Sequence, residues 1–263
     1  HNAANAPVVL NGSLKIEETR AVQGISAKLN TIAKIRGEYV VASKYDFWFL
    51  NADLSPKFHA AMDPWFSANV LDLVGITALD KDAYVLMGSN KSLLRVRQNP
   101  EADDVQGWPN FTAGRSHIEA VGGLGRARID TERAKFSYIH SSATDGRYVF
   151  MATVPDNKNK KQFVISKALM KDWMLSGEFV PTAEMLKKDR SLGELYVTGM
   201  VYEDGKLYAV SKNWNVLVVI DVAQEAVVEA WGLPEELTDI RGLVKDGSTF
   251  EVIDANRVVK LTM

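Results

Sequence analysis

Five segments of this 263-residue chain repeat one pattern: a glycine or small polar residue, a short turn and an apolar strand led by an aromatic. The clearest copies start at Gly75, Gly199 and Gly242 and carry Tyr84, Tyr208 and Phe250 as their aromatics. A recurring unit of this size builds blades or coils around an axis rather than one globular core. With Tyr39 and Tyr148 marking the other copies, the aromatics are spaced 45, 64, 60 and 42 residues apart. The short spacings match one four-stranded blade of about 40–50 residues, and the long ones exceed one blade without holding two.

The reading is therefore all-β, a five-bladed β-propeller. Runs rich in Val, Ile, Tyr and Leu, broken by Gly, Asp and Asn, divide the copies into strands. The first copy divides at 31–35, 38–43, 47–51 and 57–62. The fourth divides at 197–202, 206–210, 216–221 and 226–231. The last copy ends soon after 258–261 and lacks an outermost strand, while the alternating segment 13–20 is a spare strand. Pairing the two closes the ring and removes two open edges. Residues 13–263 then form a single propeller domain, and 1–12, small and patternless, are expected to be a flexible leader or linker. Short helical insertions between blades are expected at 181–188, opened by Pro181 and Thr182, with a turn near 167–173. From about residue 30 to 263 the spacing resembles propellers built from repeats of the NHL type and their relatives. That resemblance implies a scaffold with a central channel and carries over no catalytic residues.

A net charge of −2 with a pI near 6.2 gives no electrostatic case for nucleic acid. No apolar run approaches the roughly 18 residues of a membrane span. Cysteine is absent, which removes disulfides, thiolate metal sites and cysteine nucleophiles. Its absence also suits an oxidising compartment. The small polar stretch after His1 resembles the region behind a signal cleavage site or an anchor, although a residual tag accounts for His1 equally well. The expectation is a periplasmic or secreted protein with an anchor upstream as a variant of it.

Chemistry in a propeller collects on its loops. Lys44, Tyr45, Lys212 and Trp214 occupy comparable loop positions, with Lys91 at a third. The longest break in the repeat, 106–133, carries Trp108, Arg115, His117, Glu119, Arg126 and Arg128. Cations beside flat aromatics suit a recognition surface, although Lys, Asn and Ser are also ordinary turn residues. The segment 122–128 is glycine-rich and holds two arginines, but it has neither a P-loop nor a dinucleotide fingerprint. It reads as an interblade loop. His140, His117 and Glu119 are candidate acid–base groups. Asn30, Asp72 and Asp239 head the candidate Ca²⁺ ligands, with Glu18, Glu119 and Asp130 behind them. The favoured expectation is a non-enzymatic binding or scaffolding module without cofactor. Its ligand or protein partner would meet the loop face near the channel mouth, where 106–133 folds over the ring. The alternative is a Ca²⁺-dependent hydrolase or lyase at the channel.

Overall fold

A computed structural model describes residues 2–61, 72–79, 83–98, 118–120, 125–126, 138–172 and 174–263. These residues form five sheets arranged as the blades of a propeller, with consecutive strands of each blade antiparallel. Blade 1 runs Thr31–Ile35, Glu38–Ala42, Asp46–Leu50 and Pro56–Ala61, within a residue or so of the sequence expectation. Blade 2 runs Leu73–Ala78, Ala83–Gly88 and Ser92–Gln98. Its fourth position is shared by Ile118–Ala120 and Gly125–Arg126, both paired with Ser92–Gln98. Blade 3 is Ile139–Thr144, Tyr148–Thr153, Ile165–Leu169 and Leu175–Phe179. Blade 4 is Val197–Glu203, Lys206–Ser211, Val216–Asp221 and Ala226–Gly232. Blade 5 has three C-terminal strands, Arg241–Asp246, Thr249–Asp254 and Arg257–Thr262. Its outer strand is the N-terminal Lys15–Ala21, antiparallel to Arg257–Thr262, so the ring closes as expected.

The first strands of the blades face one another around the channel, each touching the next from blade 1 round to blade 5 and back. The repeated glycines make this approach feasible. A Cβ on Gly75 would lie 2.2 Å from Ser142 Oγ of blade 3, and one on Gly199 only 2.4 Å from the Gly242 carbonyl carbon. The glycine of the repeat marks a blade-to-blade contact. Between blades lie apolar clusters, such as Phe47, Phe49, Leu86 and Tyr84 between blades 1 and 2.

Two expectations need correction, and the marker aromatics differ in depth. Residues 2–12 are not a loose leader: Ala6 and Val8 are fully buried against blade 4, and the Val9 amide donates to the Met185 carbonyl. Gly12–Ser13 then adds to the blade 4 sheet beside Ala226–Gly232. Segment 181–188 is not helical, because its backbone groups are taken by neighbours. The Thr182 amide donates to Glu225, and the Lys187 amide to Pro7. The only helical turns among the described residues are three short 3₁₀ segments, none of them at 181–188. Of the marker aromatics, Tyr39, Tyr84 and Phe250 are buried, but Tyr148 and Tyr208 are half-buried at blade rims. Lysines cover their rings, Lys167 at 4.7 Å from Tyr148 and Lys245 at 5.2 Å from Tyr208.

Candidate site at the channel mouth

In each blade the first strand enters the channel at one end and the second strand returns to it. The turns between second and third strands therefore open at the same mouth as the starts of the first strands. There the structure gathers Asn30, Lys44, Tyr45, Asp72, His140, Lys212 and Asp239, which the sequence offered separately as loop, acid–base and Ca²⁺ candidates. Lys28, Tyr196 and Arg241 join them.

His140 is delivered by a bulge. Ile139 pairs with Thr153 and Ser141 with Ala152, which leaves His140 as the extra residue on its strand. Bulges re-aim side chains in this way, and blades 2 and 4 shift register at the same point of their first strands. The Tyr196 hydroxyl, from the neighbouring blade, lies 3.0 Å from His140 Nε2 and 3.3 Å from Nδ1. Burial, and then the positive charges of Arg241 and Lys212, hold the His140 pKa down to about 4, with Asp72 opposing. The imidazole is neutral at pH 7, and its tautomer decides whether it accepts the Tyr196 proton or donates its own N–H to the hydroxyl oxygen. Burial also raises the pKa of the Tyr196 phenol, against the pull of Arg241, so it keeps that proton.

The other half of the mouth is cationic. The fully buried Asp254 carboxylate accepts from the Thr238 and Asp239 amides at 3.0 and 2.7 Å. Asn215 Nδ2 donates to the carbonyls of Pro234 and Leu237. This pinned loop presents Asp239 to three cations: Lys28 at 2.8 Å, Arg241 Nε at 3.1 Å and Lys212 at 3.9 Å. Burial opposes ionisation of Asp239, but the Lys28 hydrogen bond and the three positive charges outweigh it and lower its pKa. Lys212 also sits 5.1 Å above the Tyr196 ring. Burial and the Arg241 charge lower the Lys212 pKa, only partly opposed by Asp239. Across the mouth, Lys44 lies 3.7 Å from Asp72 and 5.3 Å over the Tyr45 ring. Asn30 Nδ2 reaches the Leu73 carbonyl at 3.4 Å.

The remaining candidates go elsewhere. Trp214 packs on the core between blades 3 and 4 beneath Arg190, with its indole nitrogen turned into that core. It is a packing residue because its loop folds back on the 3₁₀ turn Leu192–Glu194, whose Glu194 carbonyl accepts from Asn213. Lys91 is buried. Glu18 lies on the outermost strand of blade 5, 3.6 Å from Arg20. Glu119 pairs in register with Arg97, and Arg126 with Ser92, on the outer edge of blade 2. Gly125–Arg126 is therefore blade edge rather than interblade loop, and this part of 106–133 does not cover the mouth. Trp108, Arg115, His117, Arg128 and Asp130 lie outside the described residues.

Of the metal candidates Asn30, Asp72 and Asp239 at the mouth, Asn30 donates to the Leu73 carbonyl and is engaged there. Each carboxylate already faces lysine, and the described residues hold no group of three His, Cys, Asp or Glu suited to a metal ion. The unanticipated residues left a faint signal: Arg241 and Tyr196 flank the starts of first strands, the positions that also hold His140.

No family model and no curated sequence matches the chain. Among solved structures it is similar to a glutaminyl cyclase from Myxococcus xanthus, with a TM-score of 0.62, 11% identity and 97% of each chain covered. It also aligns with the WD40 β-propeller domain of Doa1 at a TM-score of 0.49 and 7% identity, over 92% of this chain and 66% of that one. At these identities the likeness is one of fold. The chain is a five-bladed β-propeller, all-β, closed by its N-terminal strand.

Proposed function

We propose that this propeller is a non-enzymatic binding module that engages its ligand on the loop face at the channel mouth. The observation that carries the reading is the charge balance there: Lys28, Lys212 and Arg241 share the single carboxylate of Asp239. A chain of net charge −2 thus sets, among its described residues, three cations on one carboxylate at this mouth. The absence of cysteine supports a site of action in the periplasm or outside the cell. A calcium-dependent hydrolase or lyase at the same channel has the local charge against it. Ca²⁺ would have to displace ammonium groups from both Asp72 and Asp239.

Thermal unfolding tests the reading with a panel of small anions, small cations and Ca²⁺, the last repeated with chelator. Stabilisation by an anion that Lys212→Glu abolishes and Lys15→Glu, on the outer strand, leaves intact is the expected result. A chelator-reversible Ca²⁺ shift with no anion effect would reverse the choice.

A further inference from the structure

We infer that Lys212 and Arg241, which face the same carboxylate, together take the carboxylate group of a small organic acid; this rests on the mouth being the binding site. Of the three cations on Asp239, Lys28 is exposed to solvent, with 64% of its side chain accessible. Arg241 and Lys212 are not, at 14% and 33%. Three cations against one carboxylate leave positive charge over, and the part carried by Arg241 and Lys212 is the part that water screens less. A carboxylate offsets that charge.

The donors are also in place. Arg241 spends Nε on Asp239, which leaves its terminal nitrogens for a planar two-oxygen acceptor. The Lys212 ammonium is 3.9 Å from Asp239, beyond hydrogen-bond length, and has donors to give. Beside them stands the neutral His140–Tyr196 pair. The neutral ring carries one N–H and one bare nitrogen. The arrangement offers a charged clamp for the carboxylate and an uncharged hydrogen-bonding ring for a polar group next to it. His140 is faced by Arg241, Lys212 and Asp72 as charges and by Tyr196 as hydrogen-bond partner. An anion seated in the clamp cancels the repulsion from the two cations, so binding and protonation of His140 favour one another.

The probes are sodium acetate at pH 7, sodium trifluoroacetate, a carboxylate that stays ionised near pH 4, and inorganic phosphate, titrated separately into the full chain at constant ionic strength while NMR follows the backbone amides and the His140 ring. Acetate should shift amides of 28–30, 211–215 and 239–241 saturably, and trifluoroacetate should move the His140 titration upward. Lys212→Met and Arg241→Gln should each weaken acetate about tenfold to a hundredfold, as loss of a charged hydrogen bond does. Lys15→Met should not. A wild-type chain whose His140 titration is unmoved by trifluoroacetate overturns the inference whatever the variants do. Binding of phosphate but not acetate at the same amides overturns the carboxylate assignment and leaves the mouth as the binding site. Binding of neither there, with ligands found only elsewhere on the chain, overturns both.

Discussion

The seam that closes the ring and the mouth of the channel both place charged side chains between blades, and they treat them in opposite ways. At the seam, Glu251 of blade 5 is buried with 4% of its side chain accessible. It accepts from Lys34 Nζ at 2.9 Å and from the Tyr39 hydroxyl, both on blade 1. Arg20, on the N-terminal strand, donates to Tyr39 at 2.9 Å and lies 3.6 Å from Glu251. Lys34 and Arg20 also lie over the Tyr39 ring. Both Glu251 oxygens are engaged, and residues 212 positions apart are tied together. At the mouth, three cations share one carboxylate and Asp72 Oδ1 has no hydrogen-bond partner among the described residues. A buried charge left over is costly to a fold unless a partner arrives. The contrast separates charge that is fully paired at the seam from charge that is only partly paired at the mouth.

The contrast can be broken most forcefully at the seam. Deleting residues 2–21 removes the outer strand of blade 5 and the buried Ala6 and Val8, exposing an unpaired edge. Cooperative thermal unfolding should be lost; a truncated chain that melts like the full one would mean the seam does not hold the ring. Next comes Glu251→Ala, which strands Lys34 in a half-buried site. Denaturant unfolding should register about 3–5 kcal/mol of lost stability.

The mouth gives a smaller, pH-dependent effect. The His140 pKa is lowered from 6.5 to about 4 on folding, so as pH falls the unfolded chain takes the proton first. The stability tied to this group is complete above about pH 6.5 and is lost progressively down to about pH 4, to an extent of about 3 kcal/mol. Stability measured against pH should therefore fall less steeply in His140→Asn over that window. The smallest effect is that of Lys212→Met, within about 0.5 kcal/mol of wild type or slightly stabilising, since it relieves repulsion from Arg241. A loss of several kcal/mol in that variant would make the mouth as structural as the seam.

The seam was legible in the sequence and the mouth only in fragments. An unpaired final blade and a spare alternating strand imply each other through edge chemistry, so the pattern alone assigns 13–20 its place. The strands of blades 1 and 4 were readable because Arg36-Gly37 and Asp204-Gly205 mark their first hairpins, each residue of both pairs in the left-handed region. The arm 2–12 was not readable: it lies on blade 4 through backbone bonds and small residues, which leave no periodic signature. Pro181 and Thr182 imitate a helix start, and only the neighbouring Glu225 and Pro7 carbonyls decide otherwise. Tyr148 and Tyr208 follow the repeat but sit at the rim, because blade register sets depth and sequence spacing does not. At the mouth, His140 was visible as a residue type, while the bulge that turns it and the partners Tyr196 and Arg241 come from three different blades.

The most direct test of the central claim, that the mouth holds uncompensated positive charge, is the NMR titration of the His140 ring in wild type and in the Lys212→Met/Arg241→Gln double variant. The two substitutions remove the charges of Arg241 and Lys212 and leave burial to hold the His140 pKa down. The account predicts a value that rises above about 4 yet stays below 6.5. A His140 pKa identical in the two proteins would contradict it, because the surplus charge would then not be felt at the mouth.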